Sequence, residues 1–144
     1  MASPNARLRR TRRRPKLPPV SEQMRAWAAA LAAEVKAWPQ VSARSFFGFT
    51  ALYRRSQIFA LLPRTRGMEF PDALAFKLEK PASKDRRRLS DDIRVGQTKM
   101  GSGRWYTFTI REDGDLRDAA EWLQIAHEGI KRRPIAKRPH RNQL

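Results

Sequence analysis

Two side chains of the 144-residue sequence, His127 and His140, titrate near neutrality without help from their surroundings, so any acid–base chemistry at physiological pH would start with them. His140 belongs to a run of basic residues. His127 lies near the apolar stripe of a predicted helix, where a lone histidine fills a packing or rim position. Cysteine is absent, which excludes disulfides, thiolate metal sites and cysteine nucleophiles together. The triplet 101-GSG-103 precedes a predicted strand, so Ser102 is in no nucleophile elbow, and as a phosphate loop it lacks both length and a following helix. Two acidic clusters remain, Asp91-Asp92 and 112-EDGD-115. The first is expected to neutralise Arg86, Arg87 and Arg88, and the second to cap a helix, so neither predicts a metal site. These residues predict a non-catalytic protein with no cofactor and no metal.

Charge is the strongest compositional signal. The formal net charge is +17, and it is unevenly spread. Residues 1–20 contain seven Lys or Arg and residues 131–144 contain six, with no Asp or Glu in either segment. Such segments cannot offset their ordering entropy by burial, so 1–20 and 134–144 are expected to be disordered basic tails flanking one domain at 21–133. Cations in this density suit a polyanion, because each phosphate they neutralise releases counterions, and the planar guanidinium grips phosphate with two hydrogen bonds. The expected nucleic-acid contacts in the tails are Arg7, Arg9, Arg10, Arg12, Arg13, Arg14 and Lys16, then Arg132, Arg133, Lys137 and Arg138. The domain would add Arg54 and Arg55, with Arg64 and Arg66 at the same end of a hairpin and Trp105 as a stacking face. This binding would not depend on sequence, since phosphate contacts position a protein without specifying bases.

The stretch 44-RSFFGFTALY-53 raises the question of an RNA-recognition motif, whose second signature runs basic, Gly, aromatic, small, Phe, Val, any, aromatic. Aligned on Ser45 to Leu52, only the centre 47-FGF-49 fits. Ser45, Phe46 and Leu52 occupy positions that require a basic residue, glycine and an aromatic. The expected reading is structural: Gly48 makes a bend and the aromatics around it fill a core.

The elements that would position these residues follow from periodicity. Ser21 is a good N-cap, and Met24, Trp27, Ala28, Leu31, Val35 and Trp38 recur at three- and four-residue steps, predicting a helix over 21–38 that Pro39 stops. That helix includes 26-AWAAALAA-33, which could otherwise be taken for the apolar run of a secretory signal. Short apolar runs predict strands at 41–47, 50–54, 57–62 and 73–79, with a weaker one near 93–99 and a clear one at 104–111. A short polar helix is expected over 83–92 with Ser83 as its cap. Asp113 would cap a last helix carrying Leu116, Ala119, Ala120, Trp122, Leu123, His127 and Ile130, stopped by Pro134. The order predicts a two-layer α+β fold: an antiparallel sheet of five or six strands with the N- and C-terminal helices packed on one face. With Arg55-Ser56 as a hairpin tip, Leu52 pairs with Phe59 and Tyr53 with Ile58. Both faces of that hairpin are then apolar, so the second face is expected to meet a second copy of the chain, a protein partner, or a loop or tail of its own. No stretch reaches the roughly 18 apolar residues of a membrane-spanning helix, which predicts a cytoplasmic protein without a membrane partner.

The segment 43-ARSFFGFTALYRRSQIFALL-62 resembles the opening of the TfoX N-terminal domain family through Ala43-Arg44, Phe47-Gly48, Leu52-Tyr53 and Phe59-Ala60-Leu61. The later 105-WYTF-108 and 116-LRDAAEWLQIAHE-128 are similar to that family's aromatic strand and closing helix. More distantly, the chain resembles the MmcQ/YjbR group. The likeness covers roughly residues 22–133 and implies a two-layer α+β domain with a regulatory role and no catalytic motif to transfer. The pattern departs at Phe49 and Ala51, where glycines are usual, and at the hairpin tip 54-RRSQ-57. Competence-regulator members carry a second, helical domain, which this sequence is expected to lack.

Overall fold

The structure, a computed structural model, describes residues 19–67, 72–98 and 103–131. Among them are three helices, α1 (Glu22–Lys36), α2 (Ser83–Asp91) and α3 (Asp115–Lys131). Six strands complete the fold: β1 (Val41–Phe46), β2 (Phe49–Arg54), β3 (Gln57–Pro63), β4 (Ala73–Lys77), β5 (Val95–Gln97) and β6 (Trp105–Thr109). The strands form one antiparallel sheet in the order β1-β2-β3-β4-β6-β5, so the expected α+β class holds and the strand count is six.

Local chemistry accounts for the first helix. Ser21 Oγ accepts the Met24 N–H at 3.1 Å, satisfying one of the donors that a helix start leaves open. Met24, Trp27, Leu31 and Val35 then turn one buried stripe toward the sheet. On the same face α3 contributes Ala119, Trp122, Leu123, Ala126 and Ile130, and the sheet answers with Leu52, Phe59, Leu62, Leu74, Phe76, Phe108 and Ile110. Trp122 stacks on Phe76 at 5.3 Å between ring centroids. Each large side chain so buried contributes about 2 to 3 kcal/mol of transfer free energy, which makes this layer the main source of stability.

One expected cap belongs to a neighbouring residue, and the carboxylate of the other accepts a hydrogen bond from a distant side chain. Ala82, not Ser83, is the N-cap of α2, and it makes no side-chain capping bond. Before α3 the carboxylate of Asp115 accepts the N–H groups of Arg111 at 2.8 Å and Glu112 at 3.3 Å, while Asp113 accepts the Trp27 indole N–H at 2.8 Å and ties α1 to this loop. The acidic clusters also pair differently. Arg94 takes Asp92 and Asp115 at 2.8 Å and Asp118 at 3.0 Å, and Arg88 pairs with Glu121 at 3.3 Å.

The hairpin β2–β3 turns at Arg55-Ser56 as expected, and Tyr53 faces Ile58. Leu52, however, faces Ala60 and not Phe59, because the register shifts between Leu52 and Tyr53. The extra residue is Phe59, and the bulge brings both Phe59 and Ala60 into the helix-side core. The second sheet face carries Phe49, Ala51, Leu61, Ala75 and Trp105 as its own cluster, with Tyr53 and Ile58 packed against it. Ala51 and Ala75 have no solvent exposure in the single chain. The centre of the second face is therefore buried in the single chain, while Tyr53 and Ile58 beside it are partly exposed.

Candidate nucleic-acid interface

The β1–β2 connection is two residues long, Phe47-Gly48, between the paired Phe46 and Phe49. Both loop residues have positive φ, +48° at Phe47 and +90° at Gly48, the conformation of the tight hairpin turn whose twist matches the strands. Gly48 is required there twice over. A Cβ on it would lie 2.6 Å from Arg66 Cγ, and its carbonyl accepts the N–H groups of Arg64, Thr65 and Arg66 at 3.0, 2.8 and 3.2 Å. Those three bonds bring the segment after β3 against the hairpin tip. Gly48 makes the expected bend, and Phe49 enters the core, but the other aromatics do not. Phe47 is 84% exposed and Phe46 is 39% exposed, their rings packed edge to face at 4.9 Å.

Among the described residues two cations lie at this tip, and a third turns away from it along the sheet. Arg64 donates to Ser45 Oγ at 3.2 Å, Arg66 packs against Gly48, and Arg44 lies over the Tyr53 ring at 5.2 Å. Beyond Arg64 an open cleft of about 510 Å³ runs between α1 and the strands, floored by alanines and by Thr50 and Pro63, with Arg25, Lys36 and Arg64 as its charged lining. None of its lining residues is acidic.

At the opposite end of β2 and β3, about 20 Å away at 3.3 to 3.4 Å per residue, lies a second polar cluster. Arg54 is 5% exposed, and its guanidinium is turned inward. It donates to Gln40 Oε1 at 3.1 and 3.2 Å and to the His127 carbonyl at 2.9 Å. Burial, followed by the charge of neighbouring Arg55, lowers its pKa from the ordinary arginine value. His127 Nε2 lies 3.0 Å from the Pro39 carbonyl and so carries the proton, leaving Nδ1 to face Arg54 Nη1 at 3.4 Å. Trp38 and Phe59 pack edge-on against the imidazole at 5.4 and 5.6 Å. An open cleft of about 320 Å³ lies beside this cluster, bounded by Glu34, Trp38 and Gln124 among others. With both ring nitrogens engaged, His127 joins the end of α1 to α3 and works as a polar packing residue.

The expected binding residues are thus sorted. Arg54 is a structural cation, and Trp105, 8% exposed in the second-face cluster, offers no open stacking surface. Arg55 is exposed at the β2–β3 tip. Arg64 and Arg66 belong to the other end of the hairpin, beside Phe47, because Gly48 captures their backbone. Arg7, Arg9, Arg10, Arg12, Arg13, Arg14, Lys16, Arg132, Arg133, Lys137, Arg138 and His140, with most of 101-GSG-103, lie outside the described residues.

A signal for the tip was present in the sequence. Between Glu34 and Glu69 there is no carboxylate, against six cations. Residues 21–68 carry seven cations and two acids, whereas 69–130 carry eleven cations and twelve acids. The domain's modest positive charge therefore belongs to α1 and β1–β3. Among the described residues no helix is long and apolar enough to cross a membrane, and no cluster of His, Asp or Glu has the arrangement of a metal site. Compared with known proteins, the chain matches no family model and no curated protein.

Proposed function

We propose that this protein binds nucleic acid, holding the phosphate backbone through its Arg-rich terminal segments and through the basic half of its domain. One observation carries the reading: thirteen cations and no carboxylate occupy residues 1–20 and 131–144, and the domain's own excess of cations falls in 21–68. Arg25, Lys36, Arg55 and Arg64 are exposed there. Such binding is largely indifferent to sequence, and its strength comes from counterion release. A cytoplasmic location and the regulatory role implied by the TfoX resemblance both fit a phosphate-binding protein. The docking of a partner or a second copy through the second sheet face is disfavoured, because the centre of that face is already buried in the single chain.

Fluorescence anisotropy of a labelled duplex across a salt series tests the proposal. The comparison is between the natural chain and a full-length variant whose terminal Lys and Arg are replaced by Gln. With six to eight terminal cations engaged, replacement should flatten the slope of log K against log salt by roughly 5 to 7 units. Salt-insensitive binding, or none, would overturn the reading.

A further inference from the structure

We infer that the Phe46-Phe47 tip is a stacking platform for an unpaired base, fed by the basic cleft along α1, so that the protein prefers single-stranded nucleic acid to duplex. The inference rests on the nucleic-acid reading above and names its ligand.

Phe47 is badly placed for folding alone. The first loop position of this turn favours Asn or Gly, because positive φ crowds a Cβ against the backbone. Phenylalanine, moreover, gains stability only by leaving water, and this ring is 84% exposed. Local conformation and solvation both oppose it, and a residue disfavoured on both counts at an exposed tip is a candidate ligand contact. Phe46 braces the ring from the side at 4.9 Å and leaves a face open.

A flat, apolar group accompanied by negative charge suits that face, since Arg64 and Arg66 lie beside the turn that carries it. A nucleobase on a phosphate backbone has all three properties. The tip favours one strand over two, because only an unpaired base offers a free face for the exposed Phe47 ring to stack on. Arg25 to Lys36 spans about 16 Å of helix, and the open cleft beside it is lined by Arg25, Lys36 and Arg64 with no acidic residue. Arg64 belongs both to the cleft lining and, through Ser45, to the hairpin tip, so phosphates lying in the cleft lead toward Phe47.

Phe47→Asn in the full chain tests this, because Asn tolerates the turn and should raise the melting temperature by a few degrees, which excludes unfolding as the cause of any loss. The probes are an oligothymidylate strand, a duplex of equal length, and vesicles containing phosphatidylserine. Expected are tighter binding of the single strand than of the duplex and, on substitution, a loss of about tenfold for the strand alone. Equal affinity for strand and duplex, both untouched by Phe47→Asn, would overturn the platform while leaving the phosphate-binding reading intact. Failure to bind either nucleic acid would remove both. Loss of vesicle binding with strand binding unchanged would assign the tip to an anionic membrane surface and overturn the proposal, as would loss of a dimer by light scattering.

Discussion

Gly48 and Arg54 hold the two ends of the same hairpin, and each does so by a contact that a substitution can remove cleanly. At Gly48 the positive φ and the 2.6 Å approach of Arg66 Cγ act together, so Gly48→Ala must strain the turn or push Arg66 away. The expected loss is about 2 to 3 kcal/mol in urea unfolding, with the larger part in stability and a smaller part in single-strand affinity as Arg64 and Arg66 drift from the tip. Arg54 behaves differently. Arg54→Met keeps the aliphatic bulk but removes the hydrogen bonds to the His127 carbonyl and Gln40 Oε1, at a cost of about 1 to 2 kcal/mol. Nucleic-acid affinity should barely change, because the guanidinium is turned inward. A large loss of binding from Arg54→Met, with stability intact, would contradict the assignment of that side chain to the core. The contrast was hidden in the sequence, where Arg54 and Arg55 are adjacent basic residues. The alternation of a strand against its turn sends one inward and the other out.

Among the elements, β5 is the shortest strand at three residues, and its hold on the rest of the fold depends on Arg94, which precedes it. Arg94 gathers Asp92, Asp115 and Asp118 and lies over the Phe108 ring at 4.7 Å, which fastens the β5 edge to the start of α3. Hydrogen bonds from Arg94 hold the Asp92 carboxyl below its usual range. For Asp115, burial acts upward but is outweighed by the Arg111 N–H and by Arg94, and the net shift is again downward. A carboxyl whose folded pKa is depressed binds fewer protons folded than unfolded. Its stabilisation is complete above the unfolded value of about 3.9 and is lost as pH falls through the folded value. Stability should therefore decline below about pH 4, and Arg94→Met should flatten that decline while lowering stability near neutrality by about 2 kcal/mol. Chemical denaturation repeated over acidic pH would measure both effects. At this scale much was legible beforehand, since periodicity located the α1 stripe, the β2–β3 hairpin tip and the six strands. What could not be read was whatever depends on a distant partner. The bulge at Phe59 answers the demand of the helix layer, and the pairing of Arg94 with Asp115 and Asp118 crosses more than twenty residues of sequence.

For the whole molecule, the uneven division of charge defines the side from which the proposed polyanion would approach. The half built from α1 and β1–β3 has seven cations against two acids, and the remainder is nearly balanced, so the domain has an electrostatic polarity independent of its terminal segments. Long-range attraction of this kind raises the rate of encounter and weakens steeply with salt. If the terminal cations were the only contacts, replacing all of them would leave no salt dependence. The cleft and hairpin tip predict a remainder: with Arg25, Lys36 and Arg64 each meeting a phosphate, the terminally neutralised chain should keep a slope of roughly −2 on single strands, at about −0.7 per phosphate. Adding Lys36→Gln and Arg64→Gln to that chain should remove most of the remainder, whereas adding Arg86→Gln and Arg87→Gln, on exposed α2, should not. Association rates from stopped-flow fluorescence should follow the same order, because the two pairs of substitutions change net charge equally and differ only in where the charge lies. Equal effects from both pairs would mean that net charge alone governs the encounter and that the cleft has no part in it.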